Sequence, residues 1–273
     1  MAFSERLFRE STEKIRIHNN KYGRKEQMRL QRKRGFYERY IKRLIDIICA
    51  LLAIILFSWL YAVIAVIVRI KMGSPVIFRQ PRPGIVDPKT GEETLFDMYK
   101  FRTMTDERDE NGELLPDGQR LPKFGKFLRA TSLDELPEAF NILKGDMSII
   151  GPRPQLVRDM VFMTEKQRMR HTAVPGMSGL AQTNGRNAIT WDDKLNWDQK
   201  YIEKVSFIGD VKLVVKTAMQ VFIRRKDETN AAETDLALDY GDVLLAEGRV
   251  SKERYDELQA EARKLLEKHE RKI

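Results

Sequence analysis

Residues 47–68 read "IICALLAIILFSWLYAVIAVIV", a stretch without a charged side chain and about as long as an α-helix needs to cross a bilayer's hydrocarbon core. A chain with such a run must give it to lipid or bury it in protein. The run starts too late and extends too far for a cleaved secretion signal, and no small-residue cleavage site precedes the basic stretch beyond it, so it is expected in the mature chain. Arg39, Lys42 and Arg43 precede it, and Arg69, Lys71, Arg79 and Arg82 follow. Lys and Arg gather on the cytoplasmic side of a membrane, so cations at both ends predict a helix that enters and turns back. Ser58 near the middle can bond to the carbonyl four residues earlier and bend the helix, while Trp59 and Tyr61 favour an interface. An ordinary single span and a buried soluble helix are the alternatives.

The rest of the chain has the means to fold around this element. It has 273 residues, 42% of them apolar, with a formal charge of +9, so its natural partners are anionic: nucleic acid, acidic lipid or a phosphorylated substrate. A single cysteine, Cys49, excludes an internal disulfide framework. His18, His171 and His269 are far apart, which disfavours zinc and leaves oxygen-liganded Mg²⁺ open.

Four segments follow from composition. Residues 1–40 form a basic arm, either against acidic lipid or solvated, and residues 41–72 hold the membrane helix. Residues 73–225 form the main domain, the place for any catalytic groups, and residues 226–273 a helical appendage rich in Ala, Glu, Lys and Leu. "SPVIFRQPRPG" and "TLFDMYKFRTM" have strand character with turn signals between them, which predicts a small hairpin. The acidic stretch from Thr105 to Gln119 reads as a loop; it resembles a calcium loop until its twelfth position, Gly118. "PKFGKFLRATS" alternates Lys123, Lys126 and Arg129 with Phe124, Phe127 and Leu128. "DVKLVVKTAMQVFIRR" carries a stripe of Val211, Val214, Val215, Ala218 and Phe222. Both are predicted as amphipathic helices suited to a membrane interface or to a soluble core. In the appendage, Ser251 is a candidate N-cap for a helix with Tyr255, Leu258, Ala262, Leu265 and Leu266 on one stripe, read as a surface for self-association or a partner. The predicted class is therefore α+β and mostly helical, with a re-entrant or spanning membrane helix, interfacial helices and one hairpin.

"TSLDELPEAFNILKGDMSIIGPRP" places Asp134 and Glu135 side by side. Neighbouring residues on a helix point about 100° apart, so the two cannot form a facing carboxylate pair. Ser132 and Glu135 match a capping box, and Pro137 is tolerated only in a helix's first turn, so a helix is predicted to start here. Capping alone would explain both acids. A helix start would also help keep Asp134 ionised, and an ionised Asp can act as a nucleophile. Arg129 stands upstream, Arg153 is fixed between two prolines in "GPRP", Arg186 sits at the tip of "TNGRN", and Lys100 emerges from "MYKFRTM". Singly these are surface cations; together they suit a diphosphate, which Arg can grip with two bonds. Phosphate loops and nucleophile elbows of the common kinds are absent from the sequence.

Five stretches in order, "KRLIDIICALLAII", "PVIFRQPRPG", "YKFRTM", "LRATSLDELPEAFNILKGDMSIIGPRP" and "RHTAVPGMSGLAQTNGRNAITW", resemble the bacterial sugar transferase family, the monotopic phosphoglycosyl transferases, and within it the PglC-like members. The resemblance covers roughly residues 36–225. It implies transfer of a phosphosugar from a UDP-sugar to polyprenyl phosphate, such as undecaprenyl phosphate, at the cytoplasmic face of a bacterial inner membrane. It also implies that Asp134 attacks the sugar-bearing phosphate and expels UMP, and that Glu135 binds Mg²⁺. Arg129, Arg153, Arg186 and Lys100 would then surround phosphate. One departure stands out: Trp59 follows Ser58 where the family carries Ser-Pro, removing the strongest local cause of a kink. Two rivals remain: a metal-dependent glycosyl transferase releasing UDP, and a tethered scaffold or nucleic-acid binder. The basic arm interleaves few aromatics among its cations, so no nucleic-acid partner is expected.

Overall fold

The computed structural model describes residues 30, 32–185, 189–223 and 238–272. Of the expected basic arm, residues 1–29 and 31 lie outside them, and its end from Tyr37 is already helical. The apolar run forms two helices, α1 (Tyr37–Leu56) and α2 (Ser58–Met72), bent by 63° with respect to each other. No single helix among the described residues is long and apolar enough to cross a membrane. The break falls on Phe57, whose φ of −98° and ψ of 10° leave the helical region, so the chain bends one residue before Ser58 and without a proline. Gly73, at φ 83°, ends α2 in a conformation that a side chain would oppose.

Each of the two helices buries one stripe and leaves the other uncovered. Ala50 of α1 packs with Phe96, Met98, Ile142 and Met147, and Ile64, Val68 and Met72 of α2 pack with Phe101 and Leu128. Leu52, Ile55, Leu56, Trp59 and Ile70 on the other side are between 61% and 78% exposed. Two of the cations that precede the run are tied into the protein. Lys42 is buried and pairs with Asp210 at 2.7 Å, and Arg43 donates to the carbonyls of Ile142 and Leu143.

The predicted hairpin is present as β1 (Ile77–Val86) and β2 (Glu93–Phe101), antiparallel, with Ile77 opposite Phe101. Pro81 and Pro83 lie in β1, which has no second strand neighbour and so loses no ladder bond to their missing N–H groups. The amphipathic helix α3 (Lys123–Thr131) lies so close to the end of the hairpin that a Cβ on Gly125 would sit 2.0 Å from the carbonyl of Thr103. Its end corrects one expectation. Ser132 adopts a left-handed φ of 56° and its side chain makes no cap bond, so the capping box with Glu135 does not form. A 3₁₀ turn over Leu133–Glu135 follows instead, and α4 (Glu138–Lys144) starts after Pro137. The turn leaves both acids free for tertiary partners.

A short parallel pair, β3 (Ser148–Ile150) and β4 (Gly176–Ser178), supports the loop that holds "GPRP", and the one-turn helix α5 (Val157–Met160) follows that loop. Helices α6 (Trp191–Glu203) and α7 (Phe207–Ile223) complete the core. On α7 the predicted stripe of Val211, Val214, Val215 and Ala218 is the exposed side, and Leu213 is the buried one. Finally α8 (Tyr240–Ala246) and α9 (Lys252–Glu270) return over α5, α6 and β2. Ser251 does cap α9, accepting the N–H of Arg254 at 3.2 Å. The apolar stripe of α9 meets its own chain: Leu258 and Tyr255 pack with Phe162 and Leu195, and Ala262, Leu265 and Leu266 pack with Val157, Met160 and Leu95. The surface expected to serve self-association or a partner is therefore covered from within.

Candidate active site

The two neighbouring acids take different surroundings. Glu135 Oε1 accepts from Lys100 Nζ at 2.8 Å and from an Arg153 guanidinium N–H at 3.0 Å. Burial disfavours its charge, but Arg153 and Lys100 outweigh burial and hold the carboxyl below its ordinary range. Asp134 is 8% exposed. Burial raises its pKa, with Lys100 and Arg129 pulling it down and Glu135 pushing it up. The expectation that a helix start keeps Asp134 readily ionised gives way to this desolvation. A carboxylate that is charged but poorly hydrated is a stronger nucleophile.

Each cation is placed by a distinct piece of the fold. Lys100 lies in β2, and β2 is stapled to α4 by the fully buried Asn141. Its Nδ2 donates to the Asp97 carbonyl at 2.7 Å, and its Oδ1 accepts the Tyr99 N–H at 2.9 Å. These bonds set the strand's height beside the acids. Arg153 sits in the loop after β3. Its carbonyl accepts from Arg170 at 2.5 Å, and Arg170 pairs in the interior with Asp198 at 2.9 Å. Arg82 donates to the next carbonyl, Pro154, at 3.2 Å. Arg129 lies in the last turn of α3, and its Nε donates to Thr103 Oγ1 at 3.1 Å. Thus Asp134, Glu135, Lys100, Arg129 and Arg153 converge, while Arg186 lies outside the described residues.

Four contributors were not singled out in the sequence. Glu138 is 1% exposed. Its Oε1 lies 3.4 Å from Lys100 Nζ, an ion-pair distance without hydrogen-bond geometry, so that atom has no hydrogen-bonding partner. Burial, joined by the charge of Glu135, raises its pKa. The signal was available: Glu138 follows Asp134 by four residues and Glu135 by three, the spacing of one helix face. Arg82 was read only as a flanking cation. Burial and the neighbouring Arg153 lower its pKa to about 10, as expected for crowded positive charge. Asn141 and Arg170 gave no chemical signal, because their roles are to fix backbone.

Among the described residues no group of three or more His, Cys, Asp and Glu side chains could hold a metal. That count does not decide the matter for Mg²⁺, which keeps its waters and uses one or two carboxylates together with substrate phosphate. The ionised Glu135 and the buried Oε1 of Glu138, which makes an ion pair with Lys100 but no hydrogen bond, form an oxygen donor set that fits such an ion.

Residues 37–224 match the family model described as bacterial sugar transferase. An uncharacterized sugar transferase of Bacillus subtilis, EpsL, is 43% identical over 204 residues, which are 74% of this chain and 98% of that protein. The UDP-glucose:undecaprenyl-phosphate glucose-1-phosphate transferase of Klebsiella pneumoniae is 39% identical over 67% of this chain and 40% of its own length. The UDP-N-acetylgalactosamine-undecaprenyl-phosphate N-acetylgalactosaminephosphotransferase of Aeromonas hydrophila is 40% identical over 65% and 43%, respectively. The chain thus spans nearly all of the first relative and about two fifths of the other two.

Proposed function

The chain belongs to the bacterial sugar transferase family, and from that premise we propose that it transfers a phosphosugar from a UDP-sugar to a polyprenyl phosphate, releasing UMP. The observation that carries this reading is the division of labour between two adjacent acids: Glu135 is tied to Lys100 and Arg153, and Asp134 beside it is desolvated. The names of the Klebsiella and Aeromonas relatives agree on the group moved, a sugar with its phosphate, but differ in the sugar. The proposal therefore stops at the class of UDP-hexoses.

In this reaction the Asp134 carboxylate attacks the sugar-bearing phosphorus. The bond from that phosphorus to the bridging oxygen breaks, UMP leaves with the electron pair, and an aspartyl phosphosugar remains. An oxygen of the polyprenyl phosphate then attacks the same phosphorus, restores the carboxylate and yields a polyprenyl diphosphosugar. Lys100, Arg129 and Arg153 bind and orient the diphosphate, and they offset charge on the transferring group. Mg²⁺, if held by Glu135 with Glu138 as a second donor, would supply further charge neutralisation at the diphosphate. The acidic limb of the rate profile belongs to Asp134. Its raised pKa moves the pH below which the nucleophile is lost upward from the ordinary Asp range.

The acceptor is a lipid, and the exposed sides of α1, α2 and α7 suit membrane contact. Re-entry rather than crossing is supported by the attachment of both arms to one body. Arg43 of α1 bonds to the end of α4, while the Tyr61 hydroxyl of α2 donates to the Leu136 carbonyl beside the acids. The cytoplasmic face of the inner membrane is the side on which UDP-sugars are met. Intact-protein mass spectrometry tests the chemistry. Wild-type protein mixed with donor alone should gain the mass of a phosphosugar and release UMP, and Asp134→Asn should do neither, with turnover down by about a thousandfold or more. Normal turnover in Asp134→Asn, or release of UDP, overturns the proposal.

A further inference from the structure

The family match ends at residue 224, and yet α8 and α9 touch the supports of both cations that hold Glu135. On one side lies the segment after Arg153. Val157 and Met160 of α5, which are 2% and 3% exposed, pack against Ala262, Leu265 and Leu266 of α9. The buried carboxyl of Asp159 accepts the N–H of Tyr240 at 2.9 Å, and Arg158 pairs with Asp239 at 2.6 Å. On the other side lies the strand that carries Lys100. Leu95 of β2 belongs to the same apolar cluster, and His269, in the last turn of α9, contacts Asp97 Oδ1 through Nε2 at 3.0 Å. Asp97 is three residues before Lys100, and its carbonyl is the one that Asn141 holds.

We infer that the C-terminal helices are a positioning element of the donor site: α9 clamps β2 and α5 together and so fixes the separation of Lys100 and Arg153. The inference rests on the proposed role of those cations in holding a UDP-sugar. Neither cation is fixed by secondary structure alone. β2 belongs to a two-stranded sheet, and Arg153 stands in a loop, with a side chain still 42% exposed. A two-stranded ribbon has little stiffness of its own, and a bidentate grip on diphosphate tolerates little displacement. The covering by α9 removes that freedom from the side opposite the acids. No reacting atom touches α9, so its helices act through Lys100 and Arg153 and on substrate binding first.

The test uses the full-length protein. Ala262 is 2% exposed among Val157, Met160 and the leucines, so Ala262→Glu should lift α9 from its seat. The KM for UDP-sugar should then rise by about tenfold, with kcat changed by less than about threefold. Hydrogen exchange should increase over residues 252–270 and in α5 and β2. Ala262→Ser, which fits the seat, should restore the wild-type KM. If Ala262→Glu does not fold, Leu266→Ala and His269→Gln carry the test, each raising the donor KM about two- to threefold with the polyprenyl phosphate KM unchanged. An unchanged donor KM in variants whose α9 exchanges freely overturns the inference, as does an equal loss in kcat with no change in KM. Failure of the transferase reading looks different: it is normal turnover in Asp134→Asn or UDP as product, whatever α9 does.

Discussion

The bent pair α1–α2 and the C-terminal helix α9 both carry an apolar stripe that is plain in the sequence, and they end in opposite surroundings. Ile55 and Ile70 are 70% and 78% exposed, whereas Leu258 and Ala262 are 8% and 2% exposed. The difference does not come from helix geometry. It comes from what each helix has opposite it. α9 meets a complementary surface on α5, β2 and Phe162, and the outer side of the bent pair is left exposed among the described residues. Amphipathic spacing thus announces a face and stays silent about its cover.

Swapping charge into the two faces is the strongest way to break this comparison. Leu52→Lys with Ile55→Lys places two cations where a lipid core is expected, and membrane retention should weaken by about 4–6 kcal/mol. Thermal unfolding in detergent should hardly change, since neither side chain packs on protein. Leu258→Lys should do the reverse. It buries an unpaired ammonium against Phe162 and Leu195 and costs about 3–5 kcal/mol of stability, with sedimentation of the folded fraction with vesicles unchanged. If the first variant still sediments with vesicles, or if both lose stability alike, the two faces are not different in kind.

A smaller effect probes the α9 side through pH. Glu93 at the start of β2 holds Arg168 through two short contacts and His171 at 3.2 Å, and Glu261 of α9 adds its charge near Arg168. Burial opposes the Glu93 charge, but its His171 and Arg168 bonds bring it down to about 2 from an ordinary 4.5. A depressed folded pKa stabilises fully above 4.5 and loses that contribution as pH falls toward 2. His171, which burial holds down at about 4 from 6.5, works in the same direction, because the unfolded chain takes up its proton first. Stability should therefore fall by about 3 kcal/mol from the Glu93 group between pH 4.5 and 2. Glu93→Gln should flatten that limb. Chemical denaturation at a series of pH values measures it, and an unaltered acid limb in Glu93→Gln would refute the assignment.

What could be read from the sequence follows the same division between local pattern and tertiary cover. The hairpin, the two amphipathic helices, the cap at Ser251 and the helical character of the apolar run all rest on local rules, and all are present. The site was legible as residue types: Asp134, Glu135, Lys100, Arg129 and Arg153 do meet. Three things were not legible. The capping box at Ser132 matched its pattern, but the left-handed turn that directs Glu135 toward Lys100 and Arg153 depends on α3 being held against Thr103. Asp134 was expected to be readily ionised, but its burial is a property of the assembled site. The seat of α9 depends on a surface formed by residues from Leu95 to Phe162, about 100 to 170 positions away in the chain, which no window of sequence contains.

The finest contrast lies between two serines at helix starts. Ser251 Oγ accepts the N–H of Arg254 at 3.2 Å, so it satisfies one of the backbone donors that a helix start leaves open. Ser58 opens α2, and the cap position there is held by Phe57 without a side-chain bond. The amides at that break are instead served along the chain: Phe57 N–H reaches the Ala53 carbonyl, and Tyr61 N–H reaches Phe57, each at 3.0 Å. Ser251→Ala should accordingly cost about 0.5–1 kcal/mol, read as a lower unfolding midpoint with kcat unaltered. Ser58→Ala should cost less than about 0.5 kcal/mol, because the bend is carried by backbone that still bonds through it and by the anchoring of both arms. A marked loss in Ser58→Ala would mean that the hydroxyl holds the bend after all. The angle between α1 and α2 would then be a property of one side chain rather than of the body to which both are fastened.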